Sequence, residues 1–186
     1  MFRKTKGHIQ DLITLKRLLF MYREGIVGEP KLLKSTYNTG HSVRNVFLEF
    51  SAPVSNLVFD VIGQGAVSII ETPHYEAALW IAKNGKQGSL KFYSDYLCKY
   101  FPNESVEDHL QAFELLFSKL NLQRSGMKLL VRRDAPANRK FHVLDGTHRA
   151  AILAVLKEPV VTVAMESAYQ EKNPSAQIIP PNSVTW

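Results

Sequence analysis

The sequence predicts an α+β domain in which helices pack on a small mixed sheet. Apolar residues make up 45% of the 186 residues, which is enough for a sizeable core. Segments with helical spacing and short strand-like runs also follow one another along the chain, separated by Gly, Pro and Asn turn signals. The length suits one domain with an appended segment.

The first 66 residues are predicted to form an N-terminal extension. Apolar positions at helical spacing predict a helix from about Gln10 to Glu24, and Gly25 ends it. The following elements are, in order, a loop over residues 31–44, a strand over 46–50 that Pro53 breaks, and a second strand over 57–62. This part of the chain is therefore expected to supply one helix and two strands.

Residues 67–166 are predicted to form a compact unit of strands and helices. A strand over 67–71 leads to a helix that begins at Pro73, with Thr72 as its N-cap, because a threonine hydroxyl accepts free helix N–H groups. The later elements are an aromatic-rich helix over 88–101, a helix over 106–120 capped by Ser105, and strands over 128–133 and 160–165. Cys98 is interpreted as a packing residue, and His109 as a solvated one.

The stretch FHVLDGTHRAAILAVL, residues 141–156, predicts a short strand, a tight turn and a helix. Asp145 and Gly146 form the turn, since glycine tolerates backbone angles that other residues avoid. Asp145 is expected to cap the helix by accepting its free N–H groups. The next three residues, Thr-His-Arg, then lie in the first helical turn.

Basic side chains in a first helical turn are unusual, because the helix N-terminus carries a partial positive charge. They are favourable where an anion binds among them. Gly146 and the side chains of Thr147, His148 and Arg149, together with the free N–H groups, therefore form a candidate phosphate cradle. The alternative is that Arg149 pairs with a nearby carboxylate and that His148 is a surface residue.

The Asp-Gly-Thr-His-Arg turn resembles the signature of the ParB/sulfiredoxin-like superfamily. Gly146, His148 and Arg149 match the sulfiredoxin form of the turn, whereas Thr147 stands where sulfiredoxins have their reactive cysteine. A hydroxyl cannot replace that thiolate, so sulfinic acid reduction is not expected. In relatives, which include a family of free-serine kinases, the turn holds nucleotide phosphates, and the resemblance implies the same role here.

The resemblance also implies a division of the chain. It covers residues 67–166 as a ParB/sulfiredoxin-like domain. The remaining parts are the N-terminal extension at 1–66, a helical insertion at about 85–102 inside the domain, and an extended, proline-rich C-terminal tail at 167–186.

A second strand-to-helix junction carries Glu71 and His74, in positions that parallel Asp145 and His148. Glu71 is a candidate general base or divalent-ion ligand, and His74 is a candidate phosphate contact. The alternative is that Glu71 is a helix-start carboxylate and that His74 is a satisfied surface group.

The favoured function is that of a nucleotide-dependent kinase or an NTPase. It would use ATP or another nucleotide, with Mg²⁺, and a kinase would act on a small-molecule acceptor that the sequence does not specify. His148 and Arg149 would neutralise phosphate charge, while Asp145 or Glu71 would act as base or ion ligand. The alternatives are a DNA-associated ParB-like module, a nuclease and a catalytically silent binding protein.

The charge and the cysteine content restrict which binding partners and which cellular compartment are expected. The net charge is +6, and residues 1–34 hold eight Lys or Arg against three acids. This segment is a candidate contact for nucleic acid, an anionic surface or an acidic partner, with a solvated helix face as the alternative. A single cysteine excludes an internal disulfide and suits a cytoplasmic protein. No apolar run approaches the ~20 residues of a membrane span.

Overall fold

The predicted α+β class with a mixed sheet is confirmed. The computed structural model describes residues 2–39, 42–61, 64–84, 89–123, 127–133 and 139–168, and their side chains except those of residues 2–6, 34 and 133. Within these ranges the chain forms five α-helices and seven strands, and all seven strands belong to one sheet. None of the described helices combines the length and apolarity needed to cross a membrane.

The elements follow one another from a long first helix to a last central strand. In chain order they are α1 (Phe2–Arg23), β1 (Lys31–Asn38), β2 (Val43–Pro53), β3 (Leu57–Val61), β4 (Gly65–Ser68), α2 (Pro73–Ala82), α3 (Lys91–Tyr100), α4 (Val106–Leu122), β5 (Lys128–Arg133), β6 (Phe141–Asp145), α5 (Thr147–Val155) and β7 (Val160–Glu166). Short 3-10 turns at Val54–Asn56 and Ile69–Glu71 precede β3 and α2.

The strand order across the sheet is β1-β2-β7-β5-β6-β3-β4. β5 and β6 form an antiparallel pair, and α5 then carries the chain over the sheet so that β7 returns parallel to β5. β3 pairs with β6 in parallel, and the remaining neighbours are antiparallel. The β5–β6–α5–β7 unit is therefore the centre of the sheet.

The predicted boundary at residue 66 falls inside this sheet. β2 runs beside β7 from Val46 opposite Glu166 to Pro53 opposite Val160, and β3 lies beside β6. Residues before the boundary therefore provide the neighbours of two central strands. Most of the predicted tail, from residue 169 onward, lies outside the described residues, as do residues 85–88 of the predicted insertion.

The expected loop over residues 31–44 is wrong in its first part, because β1 forms there and pairs with β2. β1 is an edge strand, and its side chains are mostly exposed or half-buried. An edge strand needs no apolar alternation, since solvent can cover much of its side-chain surface. The polar run Ser35-Thr36-Tyr37-Asn38 therefore gave no strand signal.

The helix starts follow the predicted capping chemistry. Thr72 Oγ1 accepts from the Tyr75 N–H at 3.1 Å, and Pro73 is the first residue of α2. Ser105 Oγ accepts from the Asp108 N–H at 3.3 Å at the start of α4. The strand expected over 67–71 is shorter than predicted, because a capping box between Ser68 and Glu71 closes a 3-10 turn there.

One face of the sheet carries the main core. Alternate residues of β2, β5, β6 and β7 point to this face, where helices α1 and α5 pack. The central members are Leu18 and Met21 of α1, Leu48 and Phe50 of β2, Leu129 and Val131 of β5, Ala150 and Leu153 of α5, and Val163 and Met165 of β7. A second buried cluster joins α2, α3, α4 and α5.

α3 contributes to that second cluster through Tyr93, Tyr96 and Leu97. These three residues lie on one side of the helix. Cys98 falls on the other side and is exposed, so its interpretation as a packing residue is wrong.

The other face of the sheet is polar and is called the polar face below. A small cluster of Val46, Leu130 and Ala164, with Tyr37 packed against it, lies at its centre. Ion pairs surround this cluster: Arg44 with Glu166, Lys128 with Glu49, and Arg132 with Asp60. No described helix contributes to this cluster. Helices thus cover one face of the sheet and charged side chains surround the other, and the β6–α5 turn lies between the two.

Candidate functional site

Gly146 determines the shape of the β6–α5 turn. It has a φ of +90° and a ψ of 28°, which is a left-handed conformation, and it is the N-cap residue of α5. A Cβ atom at this position would lie 2.7 Å from Leu129 Cδ2 and 2.8 Å from Arg149 Nη2. Glycine is therefore needed both for the backbone angle and for the close approach of the Arg149 side chain.

The expectation that Asp145 caps α5 is wrong. No described side chain accepts an N–H group at this helix start. Asp145 lies opposite Leu130 in the β5–β6 pair, so its carboxylate points to the polar face. There Oδ2 accepts from Arg149 Nη2 at 2.7 Å and from the Tyr37 hydroxyl at 3.0 Å. The first N–H groups of α5, which have no intrahelical partner, thus lack a side-chain cap within the described part of the chain.

Arg149 is held in a network on the polar face. Besides pairing with Asp145, it donates from Nη1 to the Lys128 carbonyl at 2.8 Å and from Nη2 to the Tyr37 hydroxyl at 3.1 Å. This matches the alternative arrangement, in which Arg149 pairs with a carboxylate. The pKa of Tyr37 is raised, mainly by burial, so its hydroxyl stays protonated in this network.

His148 points the other way, into the helical layer, so it is not a surface residue. Its ring lies 4.7 Å from the rings of His74 and Phe113, at nearly right angles to both, and Nε2 is 3.5 Å from the Tyr93 hydroxyl. Burial lowers the pKa of His148 to about 4, and the neighbouring His109 acts in the same direction. In the unliganded protein His148 is therefore neutral at pH 7 and offers hydrogen bonds without charge.

The two strand-to-helix junctions meet at the contact between the His74 and His148 rings. His74, on the first turn of α2, is 6% exposed, so the description of it as a surface group is wrong. Its ring lies 5.4–5.8 Å from the rings of Phe59, Tyr93 and Tyr96. Burial lowers its pKa well below the usual range, and its Nδ1 has no hydrogen-bond partner in the described part of the chain.

Tyr93 is positioned by a contact that the sequence does not reveal. Glu76 of α2 accepts the Tyr93 N–H at 2.8 Å in the first turn of α3. A carboxylate at a helix N-terminus stabilises that helix. Burial raises the pKa of Glu76 above its usual value. This contact places the Tyr93 hydroxyl beside His148.

A cavity of about 150 Å³ opens beside His148, between α4 and α5. Its other lining residues all come from α4: His109, Ala112, Phe113, Leu115, Leu116 and Lys119. The expectation that His109 is solvated needs correction, since His109 is part of this wall and pairs with Glu104. The cavity therefore combines an apolar wall with two imidazoles and one ammonium group.

Glu71 lies on the surface and closes the 3-10 turn before α2. Its Oε2 accepts from the Ser68 N–H at 3.0 Å, which is the helix-start role given as the alternative. Asp145, the other candidate base, is occupied by Arg149 and Tyr37. Among the described residues no three His, Cys, Asp or Glu side chains are grouped as metal ligands.

The sequence did not identify Tyr37, Tyr93 and Lys119 as parts of the site. Tyr37 lies in a polar run, Tyr93 in a helix whose aromatic stripe predicts core, and Lys119 in an ordinary amphipathic helix. Only their contacts distinguish them from other residues of their type.

The fold and the site define a class: an α+β protein with an imidazole-lined cavity beside an uncapped helix N-terminus. No family model, curated protein or solved structure matches this chain. Membership of the ParB/sulfiredoxin-like superfamily therefore stays a prediction from the turn.

Proposed function

We propose that the protein binds a nucleotide, or a related phosphorylated small molecule, at the N-terminus of α5. The observation that carries this proposal is the uncapped first turn of α5, which places His148 in the wall of a cavity that also holds His109 and Lys119. A phosphate fits such a helix end because free N–H groups and the helix dipole both favour an anion. The resemblance of the turn to the ParB/sulfiredoxin-like phosphate turn supports the same role.

The cavity divides into two kinds of surface that suit the two halves of a nucleotide. Lys119 provides a charge for phosphate oxygens, and the imidazoles of His109 and His148 provide hydrogen bonds. Phe113, with its neighbours Leu115 and Leu116, provides the apolar wall for a ring. A space of about 150 Å³ holds one ring of about benzene size, so the sugar and the phosphates of a nucleotide would extend out of the cavity.

Arg149 lies on the polar face, on the other side of the turn from the cavity. It would contact the ligand's phosphates only after leaving its present partners and turning towards the α5 N-terminus. Its guanidinium would exchange Asp145 and Tyr37 for phosphate oxygens, and a phosphate offers a comparably strong bidentate contact. That exchange would also free the Asp145 carboxylate. In this scheme Asp145 becomes available as a base only when the ligand is bound.

The activity proposed for the site is phosphoryl transfer to a small-molecule acceptor or nucleotide hydrolysis. Such chemistry depends mainly on positioning and on charge stabilisation, which the α5 N–H groups, Lys119 and Arg149 would supply. Asp145 is the better candidate base, because Glu71 already accepts a backbone N–H in its own turn. Turnover that falls at least about tenfold in Asp145→Asn and is unchanged in Glu71→Gln would support this assignment.

Ligand-dependent thermal stability tests the binding step. The wild type is heated with ATP, ADP or CTP, each with and without Mg²⁺, and compared with His148→Gln and Lys119→Ala. A ligand at a hundredfold excess over its dissociation constant adds about 2.7 kcal/mol, which is roughly 5–10 °C for a domain of this size. The two variants should lose most of that shift.

Lys91→Ala is the matched control, because Lys91 is an exposed lysine at the start of a different helix. It should keep the full shift. Absence of a shift with every nucleotide, or equal shifts in all variants, would overturn the proposed site. Arg149→Ala is less informative, since it removes three hydrogen bonds of the folded state whatever the ligand does.

The alternative function, a DNA-associated ParB-like module or a nuclease, is supported by the basic character of α1 and its surroundings. Its test is DNA binding that weakens steeply as salt rises. Such binding, without any nucleotide-dependent shift, would favour this alternative over the phosphotransfer proposal.

A further inference from the structure

Helix α1 is apolar on two opposite sides. Its inner side packs on the sheet through Thr14, Leu18 and Met21, which are almost completely buried. Its outer side exposes five large apolar residues, called the outer stripe below: Ile9, Leu12, Ile13, Leu19 and Phe20. The outer stripe is separate from the cavity residues of α4 and α5.

The outer stripe runs along most of the helix and is interrupted by Lys16, which lies between Ile13 and Phe20. Ile9, Ile13 and Phe20 are spaced by four and seven residues, which places them one above another, and Leu12 lies beside them. The stripe extends from Ile9 to Phe20, about 17 Å along the helix axis. Several large apolar side chains exposed together on one side of a helix are typical of a contact surface. The outer stripe therefore has the composition of a contact surface.

The charges around the outer stripe are nearly all positive. Lys16 lies within it, and Arg17 and Arg23 flank it. α1 as a whole carries six Lys or Arg residues and one acid, Asp11. Asp11 faces the protein, where it accepts from the Ser167 hydroxyl at 2.6 Å and from the Ala168 N–H at 2.8 Å. The surface that covers the outer stripe should thus be both apolar and anionic.

We infer that α1 is the docking surface of this protein for an anionic lipid bilayer, with its axis parallel to the membrane plane. Lipid satisfies both requirements at once, because acyl chains accept the apolar residues while headgroup phosphates and carboxylates attract the cations. Lys16 reaches the headgroups from within the stripe by extending its long side chain.

The other possible binding partners of the outer stripe match it less well. A second copy of the chain would bring the same positive charge to the contact. DNA offers phosphates but gains nothing from Leu12 and Phe20. An acidic protein would need a groove for a convex ridge, whereas a bilayer accepts a ridge without a preformed groove.

Vesicle sedimentation of the full-length protein tests this inference. The vesicles contain either phosphatidylcholine alone or three parts phosphatidylcholine to one part phosphatidylserine, at low salt. The protein should bind the anionic vesicles and should not bind the neutral ones. Leu12→Gln combined with Phe20→Gln should weaken binding at least about tenfold, because each change removes apolar surface that would enter the bilayer. Leu122→Gln, at an exposed leucine at the end of α4, is the matched control and should bind as the wild type does.

A charge series gives an independent readout. Changing Lys16, Arg17 and Arg23 to Gln should weaken binding about fivefold for each cation removed. The same changes at the exposed lysines Lys91 and Lys99 of α3 should have little effect. Binding by the wild type should also fall when salt is raised from about 0.1 M to 0.5 M, since salt screens the headgroup charge. Circular dichroism confirms that each variant is folded.

Three results would overturn the inference. One is that the full-length protein does not bind anionic vesicles. This result counts against the inference even if a chain shortened to end at residue 168 does bind them. Another is vesicle binding that Leu12→Gln with Phe20→Gln leaves unchanged. The third is a concentration-dependent dimer, or tight binding of duplex DNA, that these two changes abolish while vesicles stay unbound. None of these results depends on nucleotide binding at α5, so the two proposals fail separately.

Discussion

Gly146 is the residue on which the local geometry of the site depends most. We expect Gly146→Ala to lower the free energy of unfolding by about 2–4 kcal/mol, because a left-handed alanine is strained and its Cβ would clash with the buried Leu129 side chain. Gly25→Ala is the control, since Gly25 also has a positive φ but has no atom within 4 Å of the added Cβ. It should cost only about 1 kcal/mol. Urea unfolding of both variants measures the difference, and equal losses would show that the close packing at Gly146 has no energetic weight.

The buried imidazole of His148 makes stability depend on pH. Its pKa is about 4 in the folded protein and near 6.5 when unfolded, so between these values the unfolded chain binds the additional proton. Stability therefore falls as pH falls through this window. Between pH 7.5 and pH 5 the wild type should lose about 2 kcal/mol more than His148→Asn, as measured by urea unfolding at both pH values. Parallel losses in the two proteins would contradict the burial of this ring.

At the scale of single residues, the sequence identified the turn but not its partners. Gly146, His148 and Arg149 stand out because glycine and two basic residues precede an apolar helix. The contact of Arg149 with Tyr37 could not be inferred, since Tyr37 lies 112 residues away in the chain on an edge strand. The prediction that Asp145 caps α5 failed for a related reason. The register of the β5–β6 pair shifts between Leu130 and Val131, so the Asp145 carboxylate lies on the polar face, where it pairs with Arg149.

At the scale of elements, the helix caps are the features that the sequence predicts best. We expect Thr72→Ala to destabilise the protein more than Ser105→Ala, by about 2 against about 1 kcal/mol. Thr72 is buried, and its hydroxyl also donates to the Ile69 carbonyl at 2.7 Å, so its loss leaves a buried acceptor without that partner. Ser105 is exposed, and water can replace its hydroxyl. Thermal or urea unfolding gives the order, and a larger loss for Ser105→Ala would refute this reasoning.

The sequence predicts the central strands of the sheet better than its edge strand β1. β5, β6 and β7 were expected close to their observed bounds because their apolar runs are buried by neighbours on both sides. β1 was missed because an edge strand with polar side chains has the composition of a loop. Local sequence patterns could not predict the pairing of β2 with β7 either, since it joins residues more than 100 positions apart.

At the scale of the whole molecule, residues 1–66 and 67–166 share one sheet and one core. A fragment that begins at residue 67 lacks β2, β3 and α1, which removes one of the two neighbours of β7 and of β6 and exposes the core around Leu129 and Val163. We expect this fragment to give a circular dichroism spectrum of an unfolded chain and no cooperative thermal transition. A fragment that melts cooperatively would show that the first 66 residues are a separable extension.

The position of β7 in the sheet has a consequence for biosynthesis. Of the described strands β7 is the last to leave the ribosome, yet it lies between β2 and β5, so the sheet cannot close until residue 166 has emerged. Until then β2, and later β5, would each present an unpaired strand edge that can pair with other nascent chains. Chaperones that shield such edges should therefore raise the yield of this protein more than lowering its synthesis temperature does.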